Sequence, residues 1–461
     1  MEVIADLHLH SRYSRAVSQQ MVIPEIAKWA VKKGINLVST GDWTHPLWLR
    51  ELKENLEEAE EGLYKLKGEG WEADIGSRSK KKEIRFLLTT EISSIYTQGG
   101  KSHRIHNLIF APNLAVVEKI NNQLRRFGVN LLSDGRPMMG LSSRQISELV
   151  FSLDKHCLII PAHVWTPWYS LYGSNSGFNS LKECFGEFAA EIYAVETGLS
   201  SSPAMNWRIE ELDDRSIVSF SDAHSPQKLG REATVFEVGE IKKLRYEDVR
   251  QAIMGKREVA SENPDTEEQS SKFKNQERAS QMRSSYLLPY IAYTIEFYPE
   301  EGKYHWSGHR NCGVKQSPEE TKKLGTTCPV CGRKITVGVM HRVEELASRP
   351  ANFQPAERPP FKMLVPLMEI LSEVIGNGVS SQNVENEYNR LTQYFGSEFE
   401  ILLKTPLEEI AKIGGEKLAE GIKKVREGDI FVDPGYDGVF GTVKIWGETK
   451  KEAQPKQMGL F

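Results

Sequence analysis

The sequence predicts an α/β fold: a barrel of seven parallel strands over residues 1–260, then a small zinc-binding module and a C-terminal helical domain. Three observations predict it. Short apolar runs recur at 3–7, 35–39, 86–90, 107–110, 158–162, 192–196 and 217–221, with helical stretches between most of them. Runs without strict alternation suit strands buried on both faces, and alternating strand and helix is how a parallel sheet is connected. Beyond them lie three clustered cysteines (Cys312, Cys328, Cys331), then apolar positions Leu364, Leu367, Met368, Leu371 and Ile375 at helical spacing.

The helices are marked by their ends. Residues 23–33 open on Pro24 in the first turn and stop before Gly34. Residues 115–127, 143–151, 204–212 and 246–254 also read as helices. Residues 261–288 are polar and aperiodic, which predicts a linker or mobile insert. Residues 289–347 then hold the cysteine module, 348–446 a helical DNA-binding domain behind a proline-rich start, and 447–461 a flexible tail.

Composition narrows the partners. Of 461 residues, 39% are hydrophobic and 26% charged, normal for a globular chain of two or three domains. A net charge of -4 excludes a globally basic nucleic-acid binder, so any such surface is a local patch. No apolar run is long enough to span a bilayer, and no basic-then-apolar leader opens the chain. Cytoplasmic residence, associated with the nucleoid, is the expectation.

Chemistry-bearing residues recur where the apolar runs end. His8 and His10 stand two apart at the end of the first run, so strand alternation turns both imidazoles to one face. Asp222 and His224 repeat the spacing after the last. The C-terminal strand ends of a parallel barrel share one rim, so the two pairs converge. Asp42, Glu91 and His163 end other runs, while His103 and His106 flank the start of a fourth. Any one of these is an ordinary loop residue. Together they defy packing, because each unpaired buried polar group costs about 1–3 kcal/mol. Mixed imidazole and carboxylate donors suit Zn, Mn or Fe, which activate water and offset charge on a phosphate.

The segments ADLHLHS, TGD, TTE, PAH and SDAHSP resemble the motifs of the polymerase-and-histidinol-phosphatase (PHP) phosphoesterases. That resemblance implies a distorted (β/α)7 barrel with a trinuclear centre. His8, His10, Glu91, His163, Asp222 and His224 match as ligands, with His106 as the remaining histidine and His103 its alternative. Asp42 stands where many members have histidine and joins the expected ligand set. Tyr13 or Ser14 falls where some members have a further ligand. Zn2+ is the expected catalytic ion, with Mg2+ or Mn2+ the alternatives.

Longer segments, among them KWAVKKGINLVSTGDWTHP, SDGRPMMGL, PAHVWTPWYSLYGSNSGF and EFYPEEGKYHWSGHRNCGV, resemble endonuclease Q over nearly the whole chain. That family nicks DNA on the 5′ side of deaminated bases (uracil, hypoxanthine, xanthine) and abasic sites. The resemblance implies a repair endonuclease acting on damaged single- or double-stranded DNA, with Asp222, His8 and His10 catalytic. Arg104 or Arg231 would steady the phosphate charge. The competing reading is a small-molecule phosphatase of the histidinol-phosphatase kind, which has no use for residues 290–461.

An extruded base needs a stacking and hydrogen-bonding pocket. Trp165, Trp168, Tyr169 and Phe178 are candidates to stack, and Ser170, Ser174 and Asn175 to read polar edges. Asn206 closes a second, serine-rich loop suited to phosphates. His309-x2-Cys312 and Cys328-x2-Cys331 form a structural zinc signature, with His305 the competing histidine. Lys303, Arg310, Lys315, Lys322, Lys323, Arg333 and Lys334 make this module basic, which suits DNA phosphates. The segment PLEEIAKIGGEKLAEGIKKV looks like half of a helix–hairpin–helix, with an ordinary helical hairpin as the simpler reading.

The chain ends Gln457-Met458-Gly459-Leu460-Phe461 after a charged spacer. This tail resembles the pentapeptide by which bacterial replication and repair proteins bind the sliding clamp. Deleting 457–461 is expected to abolish capture of the protein by immobilised clamp while nicking of a short oligonucleotide persists.

Overall fold

The computed structural model describes residues 1–68, 84–255 and 289–447. The expected linker at 261–288 lies outside the described residues. So does the tail beyond 447, with Gln457, Met458, Leu460 and Phe461.

All seven expected strands form. In chain order the strands are β1 (Glu2–Asp6), β2 (Leu37–Ser39), β3 (Leu56–Glu60), β4 (Leu63–Leu66) and β5 (Arg85–Leu87). There follow β6 (Thr89–Gln98), β7 (Lys101–Phe110), β8 (Met138–Met139) and β9 (Leu158–Pro161). Then come β10 (Ala194–Glu196), β11 (Ser216–Val218), β12 (Ala233–Glu237) and β13 (Tyr290–Glu296).

They are not all parallel, which corrects the expectation. β1, β2 and β5 pair in parallel, as do β10 and β11. β12 runs antiparallel to both β1 and β13, and β9 antiparallel to β7. The physical reason is clearest at β6 and β7. They are one long antiparallel hairpin closed at Gly99 (φ 58°) and Gly100 (φ 77°). Two left-handed residues make a tight hairpin turn, and two residues cannot make a parallel crossover.

Both faces of these strands are buried. Val3, Ala5 and Leu7 of the first strand region join one apolar cluster with Leu37, Leu108 and Phe220. Ile4 and Leu9 turn the other way, toward helix residues such as Ile26 and Ala30. The expected helices at 23–33 and 246–254 are found with the same bounds, and Gly34 (φ 92°) ends the first in a left-handed cap. Asn113 caps the helix Leu114–Arg126, and a Ser142–Gln145 capping box starts Ser143–Leu153. The stretch 204–212 is shorter than expected: a single turn, Pro203–Asn206, then a 3-10 turn, Glu210–Leu212.

The C-terminal region is helical as expected, with Leu367–Ile375, Gln382–Phe395, Leu407–Gly414 and Glu416–Glu427. It docks on the α/β part through a buried ion pair. Lys33 Nζ lies 2.6 Å from Glu398 Oε2, to which the Tyr388 hydroxyl also donates at 2.8 Å. Trp29 stacks on Tyr388 beside it. Among the described residues no helix is long and apolar enough to cross a membrane.

Removing one partner of a buried pair leaves the other charge uncompensated, at a cost of about 3–5 kcal/mol. Lys33→Met is therefore expected to lower unfolding free energy by that order in a denaturant titration. Adding Glu398→Gln should recover part of the loss.

Candidate metal centre

Beyond β1 the chain stays extended. The two histidine-bearing pairs become backbone neighbours there: Leu9 bridges Ala223 in parallel, and His10 N–H donates to Ala223 O at 3.0 Å. Both pairs thus open onto one rim. The strand ends are bent hard to aim at it. Asp42 (φ 43°), His163 (φ 32°) and Asp222 (φ 47°) all hold the left-handed conformation. Each such non-glycine residue costs on the order of 1–3 kcal/mol, and strain of this kind gathers at functional sites. Gly198 makes room, since a Cβ there would sit 2.3 Å from His163 Cβ.

Glu91 stands at the centre. Its Oε2 lies 3.1 Å from His10 Nε2 and 3.7 Å from His8 Nε2. Its Oε1 lies 2.7 Å from His106 Nδ1 and 3.2 Å from His163 Nε2. Asp222 Oδ1 is 3.2 Å from His10 Nε2, 3.5 Å from His8 Nε2 and 3.6 Å from His224 Nδ1. Three overlapping triads result, each with donor atoms within 4.8 Å: His8–His10–Glu91, His10–Asp222–His224 and Glu91–His106–His163. Shared Glu91 and His10 are what a multinuclear centre needs.

The donors fit divalent cations. His8 Nε2, His10 Nε2 and Asp222 Oδ1 are buried without a hydrogen-bond partner, a costly state unless they face a positive ion. Burial opposes ionisation of Glu91, yet His106 and Arg136 hold its carboxyl well below the usual range. His8 and His10 do the same for Asp222. These neighbours favour the charged form of both carboxylates, the form that binds a cation.

Two further carboxylates aim the imidazoles. His8 Nδ1 meets Glu196 Oε1 at 2.8 Å, and His10 Nδ1 meets Asp42 Oδ1 at 2.9 Å. A pinned Nδ1–H leaves Nε2 as the free donor. Asp42 is thus not where it was expected. Its second oxygen accepts from Ser11 N–H (2.6 Å), Ser11 Oγ (2.7 Å) and Ser14 Oγ (2.8 Å), and it belongs to none of the triads. It stands behind His10 as an orienting group. Tyr13 points away, with its hydroxyl on Glu51.

Glu196 escaped the sequence reading, although it ends a strand just as Glu91 ends an apolar run. Arg136 escaped too, and its Nη1 donates to Glu91 Oε2 at 2.9 Å. It lies in a loop that β8 returns to β6, inside the segment SDGRPMMGL. Arg104 lies over the Tyr169 ring, and Arg231 donates to Ser221 O at 3.1 Å, beside Asp222.

The two candidate histidines of β7 separate cleanly. They are three apart, so strand alternation puts them on opposite faces. His106 joins the centre, whereas His103 stacks on Phe178 at 3.8 Å and bonds Ser176 O.

Much of the proposed base pocket is structural. Trp165 is buried with its Nε1–H on Asn206 Oδ1 (2.8 Å), and Asn206 also bonds Ser201 Oγ and Ser202 O. Ser170 bonds Thr166 O and Ser174 bonds Val337 O. Two aromatics stay half-buried on the rim. Tyr169 (φ 63°) packs 4.8 Å from the His106 ring. Trp168 meets Tyr304 edge-on at 5.4 Å.

In the cysteine module, the donor atoms of His309, Cys312, Cys328 and Cys331 lie within 4.8 Å of one another. His305 is buried outside that group.

A model of the MJ0043 C-terminal domain family matches residues 366–429. The chain is 32% identical over 285 residues to protein MJ0043 of Methanocaldococcus jannaschii, a span that covers 61% of this chain and 31% of that relative. Two solved structures match far more of it. One is the lesion-specific endonuclease PfuEndoQ from Pyrococcus furiosus: 32% identity, TM-score 0.76, 96% of this chain and 95% of that one. The other is an Endonuclease Q complex with a 27-mer duplex bearing an abasic lesion at the active site: 32% identity, TM-score 0.77, all of both chains.

The two β7 histidines offer a direct check on the centre. His106→Ala is expected to lower the metal content of the purified protein, measured by plasma mass spectrometry, by about one ion per chain. His103→Ala should leave that content as it is.

Proposed function

The chain belongs to the endonuclease Q family, and on that footing we propose that it is a metal-dependent DNA repair endonuclease. It nicks the phosphodiester bond 5′ to deaminated bases (uracil, hypoxanthine, xanthine) and to abasic sites. The observation that carries the reading is the set of three overlapping donor triads with buried, unpartnered Nε2 and carboxylate atoms facing one another. Strands β12–β1–β2–β5 and β7–β9, with β10–β11, would be the wall of a distorted PHP-type barrel around it.

His8, His10, Glu91, His106, His163, Asp222 and His224 would hold the ions, with Zn2+ favoured by the imidazole-rich set and Mg2+ or Mn2+ the alternatives. Bound there, divalent ions would supply Lewis acidity toward the phosphate and a lowered pKa for water. The chain's own residues do the rest. Glu196 and Asp42 keep His8 and His10 in one tautomer and one orientation. Arg136, half-buried beside Glu91, presents a guanidinium to the phosphate oxygens. Tyr169 and Trp168 offer half-buried faces on which the extruded base can stack. Water attacks the phosphorus in line and the 3′ oxygen leaves, giving 3′-hydroxyl and 5′-phosphate ends.

The other modules serve binding. His309, Cys312, Cys328 and Cys331 would close a tetrahedral structural zinc site with no open position. The C-terminal helices would engage duplex DNA, and the final pentapeptide the sliding clamp.

A labelled duplex with one uracil, incubated with protein and Mg2+, Mn2+ or Zn2+, tests the reading. The expected product is a single nick 5′ to the uracil. Hydrolysis of p-nitrophenyl phosphate without any nicking would favour the small-molecule phosphatase instead. Asp222→Asn should cut the nicking rate by at least a hundredfold while a gel-shift assay still detects lesion binding.

A further inference from the structure

The turn at 435–441 is far from the metal ligands in sequence, yet it contacts residues that touch the ligand-bearing loops. Tyr436 and Val439 exchange backbone hydrogen bonds of 3.0 and 2.8 Å around Asp437 (φ 41°) and Gly438 (φ 85°). Two left-handed residues in a row are the type I′ geometry, for which Asp-Gly is well suited. The turn is pinned from several sides. Asp437 accepts from Arg310 N–H at 2.7 Å and from the Thr336 hydroxyl at 2.6 Å. Gly438 N–H donates to Lys303 O at 2.9 Å, Gly435 N–H to Glu300 O at 2.8 Å, and Gly441 N–H to Glu301 O at 2.9 Å.

This rigid backbone holds two apolar side chains out into solvent. Val439 is 40% exposed and Phe440 is 64% exposed. Cations flank them: Lys303 Nζ lies 4.4 Å from the Phe440 ring centroid, and the Arg310 guanidinium packs against Gly438. A phenyl ring 64% exposed beside a lysine, with the Arg310 guanidinium against Gly438 two residues away, gains little from the core. It suits a partner with stacked rings and a flanking negative backbone.

The turn also lies between two loops that carry metal ligands. On one side the Tyr304 hydroxyl approaches Gly438, and the Tyr304 ring meets Trp168, whose neighbour Tyr169 packs on His106. On the other side Gly441 helps line a groove of about 1020 Å³ with Lys228 and with Ser225, which is next in the chain to His224.

We propose that the 435–441 turn is an insertion wedge: it places Phe440, with Val439 beside it, into the base stack of duplex DNA where a nucleotide has left for the metal centre. This rests on the endonuclease reading above. Extruding a nucleotide leaves an unstacked gap, and apolar wedges that enter such gaps hold the duplex open. Lys303 and Arg310 then neutralise phosphates on either side. The related complex, whose duplex carries an abasic lesion at the active site, places the same class of partner on this fold.

The test compares one lesion in two settings. Wild type, Phe440→Ala and Phe440→Leu are assayed on a uracil-containing duplex and on the same strand alone. A wedge matters only where there is a stack to open. Phe440→Ala should therefore lose roughly tenfold or more on the duplex, the worth of one base–aromatic stack, and less than threefold on the single strand. Phe440→Leu, still an apolar wedge, should recover most of the duplex activity. A 2-aminopurine beside the uracil should brighten on binding wild type and stay dark with Phe440→Ala. Equal losses on both substrates, or no loss on the duplex, would overturn the wedge and leave the endonuclease standing. A wild-type protein that nicks neither substrate would overturn both.

Discussion

A carboxylate gripping the Nδ1–H of a buried imidazole is the interaction on which the rest of this structure depends. Glu196 holds His8 in this way and Asp42 holds His10. Each grip fixes a tautomer and sends the opposite nitrogen toward Glu91 and Asp222. Without it, two rings buried in a low-dielectric rim would turn to find partners of their own. The centre would then collapse into internal ion pairs. The strained backbone at Asp42, His163 and Asp222 follows from the same demand, because only an abrupt turn at the strand end aims those side chains inward. Stability lost in these turns is made up by a strand layer buried on both faces.

The architecture separates two tasks. The mixed α/β part places carboxylates and imidazoles within a few ångströms of each other. The later modules shape what reaches them. The two halves are firmly joined, since the Lys33–Glu398 pair with Tyr388 and Trp29 ties the helices to the first α/β helix. β13, from beyond the segment 256–288, pairs with β12 in the same ladder that contains β1. A phosphatase for small molecules has no need of such a rigidly mounted annex. An enzyme that must hold a long duplex against a single scissile bond does.

Aromatic residues illustrate how position decides role. Trp165, Trp168, Tyr169 and Phe178 stand within fourteen residues of one another. Trp165 is buried against Asn206 and Tyr172, and Phe178 against His103. Only Trp168 and Tyr169 remain on the rim. Phe440, more than 260 residues later, is far more exposed than any of them. The residues best able to meet a partner were not grouped in the chain.

By itself the sequence determined the local and repeating features. Strand and helix positions were legible because apolar runs and end signals such as Pro24 and Gly34 act within a few residues. The ligand types at strand ends were legible for the same reason, as was the paired spacing of His309, Cys312, Cys328 and Cys331. What depended on the fold had no local signal. Strand direction turned on whether Gly99–Gly100 closed a hairpin, and on which partner each strand found. The choice of His106 over His103 followed from which face of β7 meets Glu91. The retreat of Asp42 behind His10, and the arrival of Glu196 and Arg136, came from hydrogen bonds between residues 32 to 188 positions apart. Contacts at that range are set by tertiary packing, so only the tertiary structure could decide which carboxylate binds an ion and which one aims a histidine.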